Sequence, residues 1–98
     1  MSDPSDVTVS DNPDKRRYEA SVDSGVVAGF AEYRLRDGVI VFTHTEVDMA
    51  FEGQGIGSTL VREALDDARE RGLEVRPLCP FFKSYIERHR EYAELVTS

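Results

Sequence analysis

Polar and apolar residues alternate along the first half of this chain and switch to helical spacing in the second, and that change of period sets the expected order of elements. Val7 to Ser10 reads as a short strand, closed by the turn Asp11-Asn12-Pro13-Asp14. Tyr18, Ala20 and Val22 share one face of a strand from Arg17 to Val22, after which Asp23-Ser24-Gly25 turns again. In the next strand Val27, Gly29, Ala31, Tyr33 and Leu35 fall on one face, with Glu32 and Arg34 opposed. Asp37-Gly38 then signals a hairpin, since such pairs suit the positive φ of a type I′ turn. The strand after it runs from Val39 to Val47 and completes a four-stranded antiparallel meander.

Ile56, Leu60, Val61, Ala64, Leu65 and Ala68 line one face of an amphipathic helix, which Gly72 stops. On its wet face Arg62 can pair with Asp66, and Asp67 with Arg71. Leu73 to Leu78 is a short strand. Pro80 suits the first position of a second helix, with Phe81, Phe82, Tyr85 and Ile86 as its buried stripe. Glu91 to Val96 closes the chain as a short turn. Strand, helix, strand predicts a parallel crossover, so the fold class is α+β: the meander, then helix, parallel strand and helix.

Ninety-eight residues suit one domain, expected over 7–98 behind a short polar, disordered tail from Met1 to Asp6. The formal charge of −7 argues against nucleic acid or an anionic membrane as partner, because both want a basic face. No apolar run reaches membrane-spanning length, and no signal-peptide core opens the chain. One cysteine cannot form an internal disulfide, which fits a cytoplasmic location. No metal site is expected.

Phe51-Glu52-Gly53-Gln54-Gly55-Ile56-Gly57-Ser58 changes the picture most. Glycines at alternate positions let the backbone approach a ligand closely, and the helix that follows offers free N–H groups and the positive end of its dipole. A phosphate or pyrophosphate is the natural guest. The spacing is neither the G-x-G-x-x-G of a dinucleotide fold nor a P-loop, which would need a lysine.

With the meander, glycine loop, long helix, strand and shorter helix in this order, the chain resembles the GNAT superfamily of acetyl-CoA-dependent N-acetyltransferases. Glu52-Gly53-Gln54-Gly55-Ile56-Gly57 falls on that superfamily's Arg/Gln-x-x-Gly-x-Gly/Ala signature, with Glu52 in place of the usual Arg or Gln. His44-Thr45-Glu46-Val47 and Cys79-Pro80-Phe81 are similar to a compact GNAT-like family in which a Cys-Pro pair follows the last strand. The resemblance covers Tyr18 to Tyr92. It implies an acetyl-CoA or coenzyme A cofactor and transfer of acetyl to an amine acceptor whose identity is not read from the sequence. The N-terminal helices and final hairpin that build the acceptor pocket of larger members have no counterpart in the pattern. The alternative is therefore a CoA-binding or protein-interaction module with little catalysis.

By the same resemblance the pantetheine arm lies between the splayed strands around His44 to Val47 and Leu73 to Leu78. Backbone groups of Thr45, Glu46 and Val47 would bind it, and Gly53, Gln54, Gly55, Ile56, Gly57 and Ser58 would hold the pyrophosphate. Arg62, Lys83, Arg88 and Arg90 are the cations available for the outer phosphates. His44 and Glu46 stand two apart, on one strand face that Ile40 and Phe42 begin, and form a candidate base. Cys79 falls at the N-cap of the second helix, where a thiol feels the dipole, and the resemblance sets it beside the thioester. It could accept acetyl, act as acid or base, or pack against the cofactor. Tyr85 matches the place of an acid tyrosine in larger members, yet its spacing puts the ring in the core.

Overall fold

A computed structural model describes residues 7–22 and 25–97. The Met1 to Asp6 tail and the Asp23-Ser24 part of the second turn lie outside the described residues. The strands are β1 (Thr8–Asn12), β2 (Arg17–Val22), β3 (Val26–Arg36), β4 (Val39–Val47) and β5 (Glu74–Pro77), with α1 (Ile56–Glu70) and α2 (Pro80–Arg88). They form one sheet in the order β1-β2-β3-β4-β5. The first four strands are antiparallel, and β5 runs parallel to β4 after the α1 crossover.

Local chemistry explains most boundaries. Asp37 and Gly38 have φ of 50° and 81°, the two positive values of the primed hairpin turn. Gly72 and Leu73 donate back to Arg69 and Ala68, the paired bonds of a Schellman motif ending α1. Pro80 opens α2, where its missing N–H costs nothing. β1 runs on to Asn12, further than its pattern predicts. The Tyr33 phenol donates to Asp11, and that long-range bond holds Asp11 in the sheet rather than in the turn.

Both helices pack on one sheet face, over Tyr18, Ala20, Ala31, Tyr33, Ile40 and Phe42. The Phe42 and Phe82 rings stack at 3.9 Å and fasten α2 to β4. Tyr85 is buried and stacks on His89, so its ring belongs to the core as its spacing indicates.

Two bulges overturn expected faces. Ala20 faces Gly29 but Ser21 faces Val27, so Ala28 is an extra residue. Ala28 is buried in the place expected for Val27, which is exposed. On β4, Glu32 faces His44 while Tyr33 faces Phe42, so Thr43 is extra. Each added residue reverses the alternation that follows it. His44 and Glu46 do share a face, but it is the open face opposite Ile40 and Phe42. Thr45 takes the inner face instead, beside Ala31.

Candidate functional site

Pairing of β4 with β5 covers Val39 to Phe42 and stops there. Beyond it, Leu78 and Cys79 both donate their N–H to the Phe42 carbonyl, which turns the chain away from β4 and into α2. The Thr43 bulge sits at this point and bends β4 in its turn. The strands consequently diverge between Thr45 and Cys79. Across that opening Thr45 Oγ1 lies 3.3 Å from Cys79 Sγ. Cys79 is buried, is the N-cap of α2, and makes no side-chain capping bond.

The opening leads into a groove of about 530 Å³ lined by Thr45, Val47, Phe51, Glu52, Gly53, Gly55, Ile56, Gly57, Ser58 and Phe81. Gly55 caps α1 with φ 75° and has no side chain to satisfy the helix end. The first intrahelical bond runs from Thr59 N–H to Gly55 O, so the amides of Ile56, Gly57 and Ser58 precede the ladder. They present N–H donors and the positive end of the helix dipole to a groove whose lining holds the Glu52 carboxylate and no cation. A Cβ on Gly57 would fall 2.6 Å from the Phe81 ring, so only glycine lets α1 and that ring meet.

Phe81 is the clearest departure from the expected stripe of α2. It is 40% exposed and covers the α1 N-terminus, whereas Phe82, Tyr85 and Ile86 are buried. Its place between two elements far apart in sequence has no local signature. Gln54 is exposed and does not line the groove. Lys83 is exposed, two residues from Phe81 and hence turned from the side that faces the groove. Arg62 and Arg88 are exposed and, like Lys83, do not line the groove.

On the open face the arrangement differs. His44 Nε2 lies 3.6 Å from Glu46 Oε2, and both side chains are more than half exposed. A second groove of about 400 Å³ is lined by Arg17, Val27, Ala28, Gly29, Phe30, Glu46, Val47 and Asp48. Val47 lines both grooves, so they lie back to back across the end of β4. The Arg17 guanidinium rests 4.4 Å from the Phe30 ring centre, and its Nε donates to Glu19 at 2.8 Å. Phe30 is an apolar residue in line with the outward Glu32 and Arg34 of β3, and that was its signal in the sequence.

The profile of the GCN5-related N-acetyl-transferase family matches residues 17–95, and the protein belongs to that family. Its fold is similar to the solution structure of a GCN5-like protein from Staphylococcus aureus: TM-score 0.70, 24% identity, 96% of this chain and 91% of that one covered. It is also similar to the crystal structure of Ard1 from Thermoplasma volcanium: TM-score 0.57, 24% identity, 79% of this chain covered. The chain spans about half of that protein's length, 53%. No curated protein sequence matches it. Among the described residues no helix is long and apolar enough to cross a membrane.

Proposed function

We propose that the protein is an acetyl-CoA-dependent N-acetyltransferase acting on an amine across the end of β4. The observation that carries this reading is the Thr45–Cys79 contact at the head of a groove that ends on the uncapped amides of α1. The groove fits the cofactor: a glycine cradle and helix amides for the pyrophosphate, and the free edge of β4 at Thr45 to Val47 for the pantetheine amides.

Bound acetyl-CoA supplies an activated acetyl thioester. On this reading the divided faces of β4 take separate tasks. Glu46, with His44 beside it, takes the proton from the acceptor nitrogen on the open face. The Cys79 thiol, beside Thr45 Oγ1, would give a proton to the leaving sulfur on the helix side. Thiol and carboxylate face different partners and do not compete for one proton.

Thermal melting tests the reading. CoA or acetyl-CoA raises Tm, while ATP and NAD leave it nearly unchanged, since a ligand specific for the folded state stabilises it. Gly57→Val, whose side chain meets Phe81, removes that rise without abolishing cooperative melting. Equal stabilisation by ATP and CoA would reduce the loop to a generic phosphate site.

A further inference from the structure

We propose that the groove beside the last residues of β3 docks an extended acidic segment of a partner protein, added as a strand with its carboxylates on Arg16, Arg34 and Arg36. This goes beyond the acetyltransferase reading and does not depend on it.

Acidic residues outnumber basic ones in this chain of net charge −7, yet three arginines gather at one place. Arg16, Arg34 and Arg36 line a groove of about 500 Å³ together with Pro13, Tyr33 and Leu35. Asp14, Glu32 and Asp37 are close in sequence but stand outside that lining, which holds no carboxylate. All three arginines are exposed, and among the described residues none of them is in an ion pair. Arg17, Arg62, Arg69 and Arg71, by contrast, each hold a carboxylate. Arg76 stands in one row with Arg34 and Val41 across the sheet and extends the positive surface.

The backbone beside these charges is open. Pairing of β2 with β3 ends at Arg17 opposite Glu32, and the last bond from that side is Tyr33 N–H to the Arg16 carbonyl. Beyond it β3 runs on to Arg36 with β4 as its neighbour among the described strands. The two-residue turn at Asp37-Gly38 makes Arg36 and Val39 a hydrogen-bonded pair, and alternation gives the same to Arg34 and Val41. The N–H and C=O of Leu35 therefore point the other way, to the side that Tyr33 N–H shares. Unpaired donors and acceptors on a strand edge are a template for another extended chain.

The register also sets the sequence of the occupant. Residues beside Arg34 and Arg36 lie on the same face as those guanidiniums, and the residue between them lies beside Leu35, which is 48% exposed. The fitting segment reads acid, apolar, acid. A nucleic acid brings phosphates for the arginines but no amide N–H for the Leu35 carbonyl, and the net charge repels a polyanion. Arg34 faces Val41, four positions before Thr45, so a docked segment leaves the Thr45–Cys79 opening clear.

The test uses the whole chain and a capped peptide, Ser-Glu-Val-Glu-Val-Glu-Ser, at low salt. Its controls are the same peptide with Lys for Glu, the same peptide with N-methyl valines, and a single-stranded thymidine oligonucleotide. Nitrogen–proton NMR spectra should show the acidic peptide shifting the amides of residues 14–16 and 33–36 while those of 53–58 stay in place. Both control peptides should bind far more weakly. Arg34→Gln, Arg36→Gln and Arg16→Asn should each weaken the acidic peptide about threefold, the size expected for one exposed ion pair. Asparagine tolerates the φ of 54° at position 16, so melting should not change. Absence of shifts at 33–36, equal binding of either control peptide, or an affinity untouched in all three variants overturns the inference. Tighter binding of the oligonucleotide at the same amides overturns it as well and makes the groove a nucleic-acid site. CoA-dependent melting is read separately, so the function reading stands or falls without this one.

Discussion

Up to Phe42, strand β4 is paired on both sides and sends Ile40 and Phe42 into a core that excludes water. From Thr43 on, it pairs with β3 alone and carries His44, Thr45 and Glu46 to two separate surfaces. The first half of the strand is fixed by packing, and its loss would be felt as stability. The second half is held by one neighbour and a bulge, and its loss would be felt as binding and catalysis. A single inserted residue marks the border. A strand can serve a core and an open groove at once when one extra residue turns the register between them.

The largest effect that would break this contrast is on stability. Phe42→Ala removes a fully buried ring stacked on Phe82 and should cost about 3–5 kcal/mol in denaturant unfolding. Cys79→Ala, at the other half's opening, should cost about 1 kcal/mol or less while lowering turnover about a hundredfold, as loss of a general acid does. Near-normal turnover in Cys79→Ala would make the thiol scaffold. A stable acetyl adduct on Cys79 in intact-mass spectra would replace direct transfer by a covalent route.

Deleting Thr43 sharpens the comparison. Tyr33 already faces Phe42 and Glu32 already faces His44, so the shortened strand keeps every side chain on its present face. It loses the bend that parts β4 from β5. Cooperative melting should survive and the CoA-dependent rise in Tm should disappear. A retained rise would show that the bulge does not hold the opening.

A smaller effect probes the packed side. Burial, with the Asp67 carboxylate next, pushes the Tyr18 phenol above its usual range, and Tyr33 and Tyr92 are raised in the same way beside Asp11 and Asp66. A raised folded-state value means stability that is complete below the unfolded phenol's pKa near 10 and lost as pH climbs past it. The urea midpoint should therefore fall between about pH 9 and 11. Tyr18→Phe should make that fall shallower and cost about 1–2 kcal/mol at neutral pH, from one hydrogen bond to a charged group. An unchanged slope would remove Tyr18 from the cause.

Much of the site was legible because its chemistry is local. The glycine run ahead of an amphipathic face, and Cys79-Pro80 before a helical stripe, announce a cradle and an N-cap through nearest neighbours alone. Asp37-Gly38 gives its turn for the same reason. Asp11, by contrast, looked like a turn residue until Tyr33 and Arg71 claimed its carboxylate. Phe81 looked like core because its helical spacing fits, yet Gly57 offers it a place elsewhere.

What the sequence determined by itself is therefore the order of elements, the change of period at the glycine loop, and which residue types carry chemistry. Propensity, capping and turn geometry act over a few residues and need no partner to be read. The tertiary structure alone decided on which side of β4 those residues stand. Alternation predicts faces only while the register is unbroken. Whether Ala28 and Thr43 bulge depends on the neighbouring strands and on the side chains that α1 and α2 cover. Those contacts join residues far apart in the chain, and for that reason the division between a thiol face and a carboxylate face emerged only with the fold.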